Sequence, residues 1–212
     1  MSKIFNFPNC PYDEGDVLYR NPTIEFQPGL TVLVGCNGSG KTTMLDHIAE
    51  ELRTSNIAYL YHNNTRDGGS YASSKAAFFG NVNLFATLAT SSEGEQIIVN
   101  LGEMAKEAGR FVRHHKEKGT KEIWLLFDAI DSGLSIDNVL DIKTFLFNTI
   151  LNDAKESNID IYIVCSANSF EMCYKEKCID VSTGNFIEFI DYGKYKDFIL
   201  NSKKYKKERY DD

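Results

Sequence analysis

The chain has 212 residues, of which 42% are hydrophobic and 25% charged, a composition typical of an ordinary globular protein. Its longest apolar stretches, such as IWLLF at 123–127, are far shorter than the roughly 20 residues of a membrane span, and its start shows no signal peptide. We therefore expect one cytoplasmic domain over residues 1–212, and the net charge of −7 excludes a domain that is cationic as a whole.

The first part of the chain predicts short strands followed by one helix. VLY at 17–19 and TIEF at 23–26 have strand character, and the alternation of TIEF is typical of an antiparallel strand. LTVLV at 30–34 is an apolar run of strand length, as expected of a central parallel strand buried on both faces. A helix with apolar residues at helical spacing begins at Lys41, and IAYLY at 57–61 is the next strand.

The middle of the chain predicts an irregular helical lobe over about 62–117. Residues 62–91 are polar and lack a clear period, which indicates irregular structure with short helices around 74–88. Residues 93–117 keep one apolar face at a spacing of 3.6 residues and predict a long amphipathic helix.

The last part alternates strands with helices. The predicted elements are a strand at 123–127, a helix at about 137–156, a strand at 161–165, a hairpin at 179–189 and a basic helix from Tyr192, the last two forming a C-terminal unit over about 179–212. This alternation predicts an α/β domain with a mostly parallel sheet flanked by helices and an antiparallel portion at its N-terminal side.

The segment GCNGSGKTT at 35–43 matches the P-loop pattern GxxxxGK[ST], between a predicted buried strand and a predicted helix. In this pattern the glycines let backbone N–H groups approach phosphate oxygens, the lysine reaches the outer phosphates and the next hydroxyl binds magnesium. We expect ATP and Mg²⁺ as cofactors. The predicted nucleotide-binding residues are Gly35, Asn37, Gly38, Ser39, Gly40, Lys41, Thr42 and Thr43.

An acidic residue, Asp128, directly follows the apolar strand at 123–127. A carboxylate at the end of such a strand can hold magnesium opposite the P-loop hydroxyl. We therefore predict a magnesium site formed by Thr42 and Asp128, with Lys41 and Asp128 as the catalytic residues.

Three segments resemble the nucleotide-binding domains of the ABC superfamily, in the style of its RecF and SMC group. They are PGLTVLVGCNGSGKTTML, SSEGEQ at 91–96 and FDAIDSGLSID at 127–137. The compact arrangement is also similar to small ATP-binding proteins of bacteriophages. The resemblance implies a P-loop NTPase of ABC-ATPase type, with Walker A, Walker B and signature motifs.

The segment SSEGEQ has two interpretations. Ser92, Gly94 and Glu95 match the family signature, whereas Ser91 and Glu93 depart from it. The same residues form a capping box, S-x-x-E, which starts a helix without any ligand. If the segment is the signature, the resemblance implies that it contacts the γ-phosphate bound to a second protomer, in a nucleotide-dependent homodimer.

The residue after Asp128 departs from the family. Relatives place there a glutamate that orients the attacking water, whereas this chain has Ala129. Loss of a general base typically slows a reaction by about a hundredfold to ten-thousandfold. We expect weak hydrolysis, and Asp131 is a poor substitute because the acidic residue at that position in relatives is not the catalytic one.

Other family positions are also replaced. Ala167 or Asn168 stands where relatives have a switch histidine, and we take Asn168 as the possible switch residue. Relatives also have a glutamine in the loop after the second strand. In this chain the candidates to replace it are His62, Asn63 and Asn64. Arg20 and Asn21 lie where relatives contact the base and phosphates.

These features favour an Mg-ATP-binding ABC-type ATPase with weak hydrolysis, acting in a DNA-related process such as recombination, repair or replication, or in a phage. The alternative is an ATP-gated switch without meaningful hydrolysis, which Ala129 supports. A nucleotide-binding subunit of a membrane transporter is a weaker hypothesis, and we expect no membrane contact. The basic residues 203–209 are a solvated helix end or a contact for nucleic acid or a protein partner.

Overall fold

The computed structural model describes residues 2–7, 19–63 and 93–210. The strands are β1 Lys3–Asn6, β2 Thr23–Phe26, β3 Gly29–Val34, β4 Ala58–Asn63, β5 Glu122–Asp128, β6 Asp160–Ser166, β7 Lys177–Asp180 and β8 Asn185–Ile187. The helices are α1 Lys41–Thr54, α2 Glu93–Glu117, α3 Ile136–Asp141, α4 Asn148–Ser157, α5 Phe170–Cys173 and α6 Tyr192–Tyr210. A π-helical stretch, Ile142–Phe147, joins α3 to α4.

Six strands form one sheet in the order β4-β5-β6-β3-β7-β8. All neighbours in it are parallel except β7 and β8, which form the predicted antiparallel hairpin around Thr183 and Gly184. The prediction of a mostly parallel sheet flanked by helices is therefore confirmed.

The antiparallel portion at the N-terminal side is a separate two-stranded sheet of β1 and β2. The partner of β2 is Lys3–Asn6, a strand that the sequence did not predict. Tyr19 lies outside any strand, and residues 17 and 18 lie outside the described residues. The short helix α5 was not predicted, because four residues are too few to show a helical period.

Both faces of the large sheet are covered. On one face, Leu33, Trp124 and Tyr162 pack with α1 and the β1–β2 sheet. On the other face, Val32, Leu125 and Ile163 pack with α2, α4 and α6. Burial on both faces explains why the central residues of β3, β5 and β6 are mostly apolar and do not alternate.

The strand register places the last residues of three strands side by side. Asn63 of β4 pairs with Asp128 of β5, and Leu33 of β3 pairs with Ser166 of β6. Because parallel strands end at the same edge of the sheet, the side chains that follow them share one crevice, where α/β proteins bind ligands.

Candidate functional site

The loop from Gly35 to Gly40 joins β3 to α1 at this carboxyl edge. Gly40 caps the helix in a left-handed conformation, with φ of 102°, which residues with a Cβ rarely adopt. Within the described part of the chain, the N–H groups of Gly38, Lys41 and Thr42 donate to no acceptor, and the buried Ser39 hydroxyl has no partner. Unpaired donors at a helix N-terminus suit an anionic ligand such as a phosphate chain.

The Lys41 side chain curls across the same loop. Its ammonium donates to the carbonyl oxygens of Gly35, at 2.8 Å, and Cys36, at 3.2 Å. Burial lowers the pKa of Lys41, although the nearby Cys36, Asp131 and Asp128 partly offset this effect. Among the described residues the ammonium donates to neutral carbonyls alone, so a desolvated ammonium of this kind gains a counter-charge when a phosphate arrives.

The Asp128 carboxylate, only 4% exposed, accepts hydrogen bonds from three different elements. Its Oδ2 accepts from the Thr42 hydroxyl, at 2.9 Å, and from Asn63 Nδ2, at 3.0 Å. Its Oδ1 accepts from the Ser166 hydroxyl at 2.5 Å. All three donors are neutral, so the charge of the carboxylate stays available to a cation.

The residues at this position fit a magnesium ion shared with a nucleotide. The Thr42 hydroxyl and Asp128 carboxylate are hard oxygen ligands 2.9 Å apart, beside the phosphate loop. In the described ranges no group of three or more His, Cys, Asp or Glu residues could hold a metal. Magnesium at nucleotide sites uses one or two carboxylates, waters and substrate phosphates, so a larger protein cluster is not required.

Ala129 brings no acid or base to the site. Its backbone is left-handed, with φ of 52°, and its N–H donates to the Ser166 hydroxyl oxygen at 2.7 Å. Ser166 therefore links Asp128 to the following turn through both its donor and its acceptor. Sequence reasoning missed Ser166, although it follows the buried strand IYIVC just as Asp128 follows IWLLF.

The side chain of Asp131 accepts hydrogen bonds from the backbone of a neighbouring loop. Its Oδ2 accepts from the N–H groups of Asn168, at 2.8 Å, and Ser169, at 2.5 Å. The carbonyl of Asn168 accepts from the Tyr195 hydroxyl of α6 at 2.5 Å, and burial raises the pKa of Tyr195, which keeps this donor protonated. The loop backbone is thus held from two sides while the side chain of Asn168 stays exposed. Ala167 is buried and cannot reach a ligand.

Segment 19–21 lies against the P-loop and the β7–β8 turn. The buried Tyr19 donates its hydroxyl to the Gly40 carbonyl at 3.2 Å and so supports the loop. Arg20 N–H donates to the Ser182 carbonyl and Asn21 N–H to the Thr183 carbonyl. The Arg20 side chain is exposed.

Several predicted positions remain predictions. Ser92, Asn64 and most of the lobe at 62–91 lie outside the described residues. Gly94 and Glu95 lie in the first turn of α2. Asn63, one candidate for the missing glutamine, contacts Asp128 directly. Thr43 lies in the first turn of α1.

A mostly parallel, helix-flanked sheet with this loop between β3 and α1 defines a P-loop α/β protein. A family model described as AAA domain matches residues 17–209, and the chain belongs to this family of ATP-binding P-loop ATPases. Relatives of this family usually bind nucleotide with Mg²⁺.

No curated protein matches the chain. A chain in the structure of an E. coli MS115-1 HORMA:CdnC:Trip13 complex is 16% identical, with a TM-score of 0.38, and this match carries no weight for fold or function. The alignment covers 69% of this chain and 43% of that one, so this chain spans less than half of its length. No helix in the described ranges has the length and apolar character needed to cross a bilayer.

Proposed function

We propose that the chain is an Mg-ATP-binding ATPase of ABC type. The observation that carries the proposal is the hydrogen bond of 2.9 Å between Thr42 and Asp128, beside Lys41 at the carboxyl edge of the sheet. The loop 35–43 binds the phosphates, Lys41 neutralises the outer ones, and Thr42 and Asp128 hold Mg²⁺. When bound, the ion offsets charge on the phosphates, while Asn63 and Ser166 keep the Asp128 carboxylate in place.

The proposed assembly is a homodimer closed by nucleotide, in which Ser92, Gly94 and Glu95 of one protomer cap the γ-phosphate on the other. Two exposed apolar side chains in the helical segment after β5 are available to such an interface. Ile136 is 61% and Phe145 69% exposed, and both follow the segment 129–135 that leaves β5. The DNA-related role rests on the likeness to the RecF and SMC group alone.

A second candidate function is an ATP-gated switch that dimerises without meaningful turnover. Ala129 favours it, because the side chain after Asp128 can neither accept a proton nor align a water molecule. Asp131 offers no replacement, since its Oδ2 already accepts from two backbone N–H groups and its Oδ1, which has no partner among the described residues, is buried.

The test measures ATP binding, phosphate release and mass by light scattering, with and without Mg-ATP. The variants are Lys41→Ala, Ala129→Glu and the exposed control Lys155→Ala, beside the wild type. We expect the wild type to dimerise with Mg-ATP and to hydrolyse it slowly. Ala129→Glu should raise turnover by about a hundredfold or more. Lys41→Ala should lose both properties, and Lys155→Ala neither.

The outcomes separate the candidates. Dimerisation with no turnover above Lys41→Ala would favour the switch. A wild type that stays monomeric with bound Mg-ATP would contradict the shared site, and failure to bind ATP would contradict the whole proposal.

A further inference from the structure

The C-terminal helix α6 lies against the P-loop. Ser202, only 3% exposed, accepts the N–H of Cys36 on its hydroxyl oxygen at 3.1 Å. One helical turn later, the ammonium of Lys206 donates to the carbonyl of Asn37 at 3.0 Å. Because residues four apart share one helix face, the hydrogen bond of Ser202 also positions Lys206 against the loop.

Lys206 lies over the part of the loop where no side chain intervenes. Gly38 has φ of 74°, and a Cβ placed there would collide with the ammonium of Lys206 and lie 3.2 Å from its Cε. The lack of a side chain at this position thus gives the ammonium direct access to the backbone that surrounds the predicted phosphates.

Two ammonium groups therefore donate hydrogen bonds to three consecutive carbonyl oxygens of the predicted phosphate-binding loop. Lys41 bonds to Gly35 and Cys36, and Lys206 bonds to Asn37. Among the described residues, no carboxylate forms an ion pair with Lys206. A half-buried cation whose partner among the described residues is a neutral carbonyl, beside N–H donors that are unpaired in the same part of the chain, is poised to bind an anion.

We propose that Lys206 is a second phosphate-binding cation. Its ammonium moves from the Asn37 carbonyl to the phosphate chain when the nucleotide binds. The proposal rests on the proposed function of loop 35–43. It assigns a binding role to one residue of the basic tail, and it makes α6 part of the nucleotide site. The charge of Lys206 favours ligands with more phosphate groups, so it discriminates ATP from AMP.

The test measures binding of a fluorescent ATP analogue and displacement by ATP, ADP and AMP. The variants are Lys206→Ala, Lys206→Arg and Lys204→Ala, an exposed lysine of the opposite helix face. We expect Lys206→Ala to weaken ATP binding by about tenfold to a hundredfold, the usual effect of losing a hydrogen bond to a charged group. AMP binding should change by less, Lys206→Arg should retain most of the affinity, and Lys204→Ala should match the wild type.

Three results would overturn the proposal. Equal affinities for Lys206→Ala and Lys204→Ala would show that the ammonium does not reach the phosphates. Tighter binding by Lys206→Ala would show that Lys206 blocks the loop. Equal losses for AMP and ATP would show a general disturbance of the site. The proposed function fails separately, if the wild type binds no ATP or if Lys41→Ala binds it normally.

Discussion

Ala129 has a backbone conformation that residues with a Cβ rarely adopt. Its φ of 52° places it in the left-handed region, directly after Asp128. The hydrogen bond from its N–H to Ser166 holds it there. Strain of this kind persists where the surroundings over-determine the backbone, and it concentrates at functional sites. The turn after β5 therefore keeps a special geometry although the side chain at this position contributes no chemistry.

Replacing Ala129 by glycine should relieve this strain. We expect Ala129→Gly to raise the free energy of unfolding by about 1 kcal/mol, the left-handed penalty less the greater chain entropy of glycine. Urea denaturation measures the change. Ala105→Gly, in the middle of α2, is the matched control, and it should instead destabilise the protein by about 0.5–1 kcal/mol. Destabilisation of both variants would contradict the argument from backbone strain.

Asp128 and Asp131 are three residues apart, yet their carboxylates have different roles. Asp128 accepts from three side chains at the edge of the sheet, whereas Asp131 accepts from two backbone N–H groups of the loop after β6. The sequence alone separates them only by the apolar strand that precedes Asp128. We infer that Asp131 positions the loop that carries Asn168 and takes no direct part in hydrolysis.

Among the elements, the register of β4, β5 and β6 determines the site. Asn63, Asp128 and Ser166 are each the last residue of a strand, and parallel pairing brings them together without any loop. A site built from strand ends is more precisely held than one built from loops, because each backbone is fixed by its neighbours.

Substitution of Ser166 tests whether the hydrogen bonds among these strand ends stabilise the protein. Ser166→Ala leaves the Ala129 N–H without its acceptor and Asp128 Oδ1 without its donor, so we expect a loss of about 1–3 kcal/mol in the free energy of unfolding. Ser157→Ala, which removes an exposed hydroxyl bonded to the Asp153 carbonyl, should change it by at most about 0.5 kcal/mol. Similar urea midpoints for the two variants would contradict the role of Ser166.

Elements with a long, regular pattern could be predicted from the sequence. The apolar strands β3, β5 and β6 and the amphipathic helix α2 lie where predicted, within a few residues. The loop that carries the P-loop pattern also lies between a strand and a helix, as predicted, because the motif and its flanking elements are local. The strand β1 was missed, since four residues with only two apolar side chains give little signal.

Contacts between distant parts of the chain could not be predicted. Ser166 is 38 residues from Asp128, and Lys206 is 169 residues from Asn37. Nothing in the local sequence of α6 distinguishes Lys206 from the lysines beside it. Its role depends on how α6 packs against the loop, which the hydrophobic period of this polar helix does not reveal.

At the scale of the whole molecule, the two layers on either side of the sheet should unfold together. Trp124, the single tryptophan, is fully buried and stacks on Tyr162 with ring centroids 4.1 Å apart, next to Phe5 of the small sheet. Its indole therefore joins the β1–β2 sheet to the large sheet, while most of the helical residues lie on the opposite face.

We predict coincident urea transitions for tryptophan fluorescence and far-ultraviolet circular dichroism, because one core buried on both faces unfolds cooperatively. The fluorescence reports the layer around Trp124, and the dichroism is dominated by the helices. Two transitions with separate midpoints would contradict our interpretation of the chain as one domain.

The three hydrogen bonds that converge on Asp128 have a consequence for experimental design. An alanine at this position would remove the proposed magnesium ligand and also the acceptor of the Thr42 and Ser166 hydroxyls and of the Asn63 amide. A loss of activity in that variant would therefore not distinguish a disturbed hydrogen-bond network from the loss of the magnesium ion. Spectroscopy of Mn²⁺, which shares the oxygen preference of Mg²⁺, probes the intact carboxylate instead.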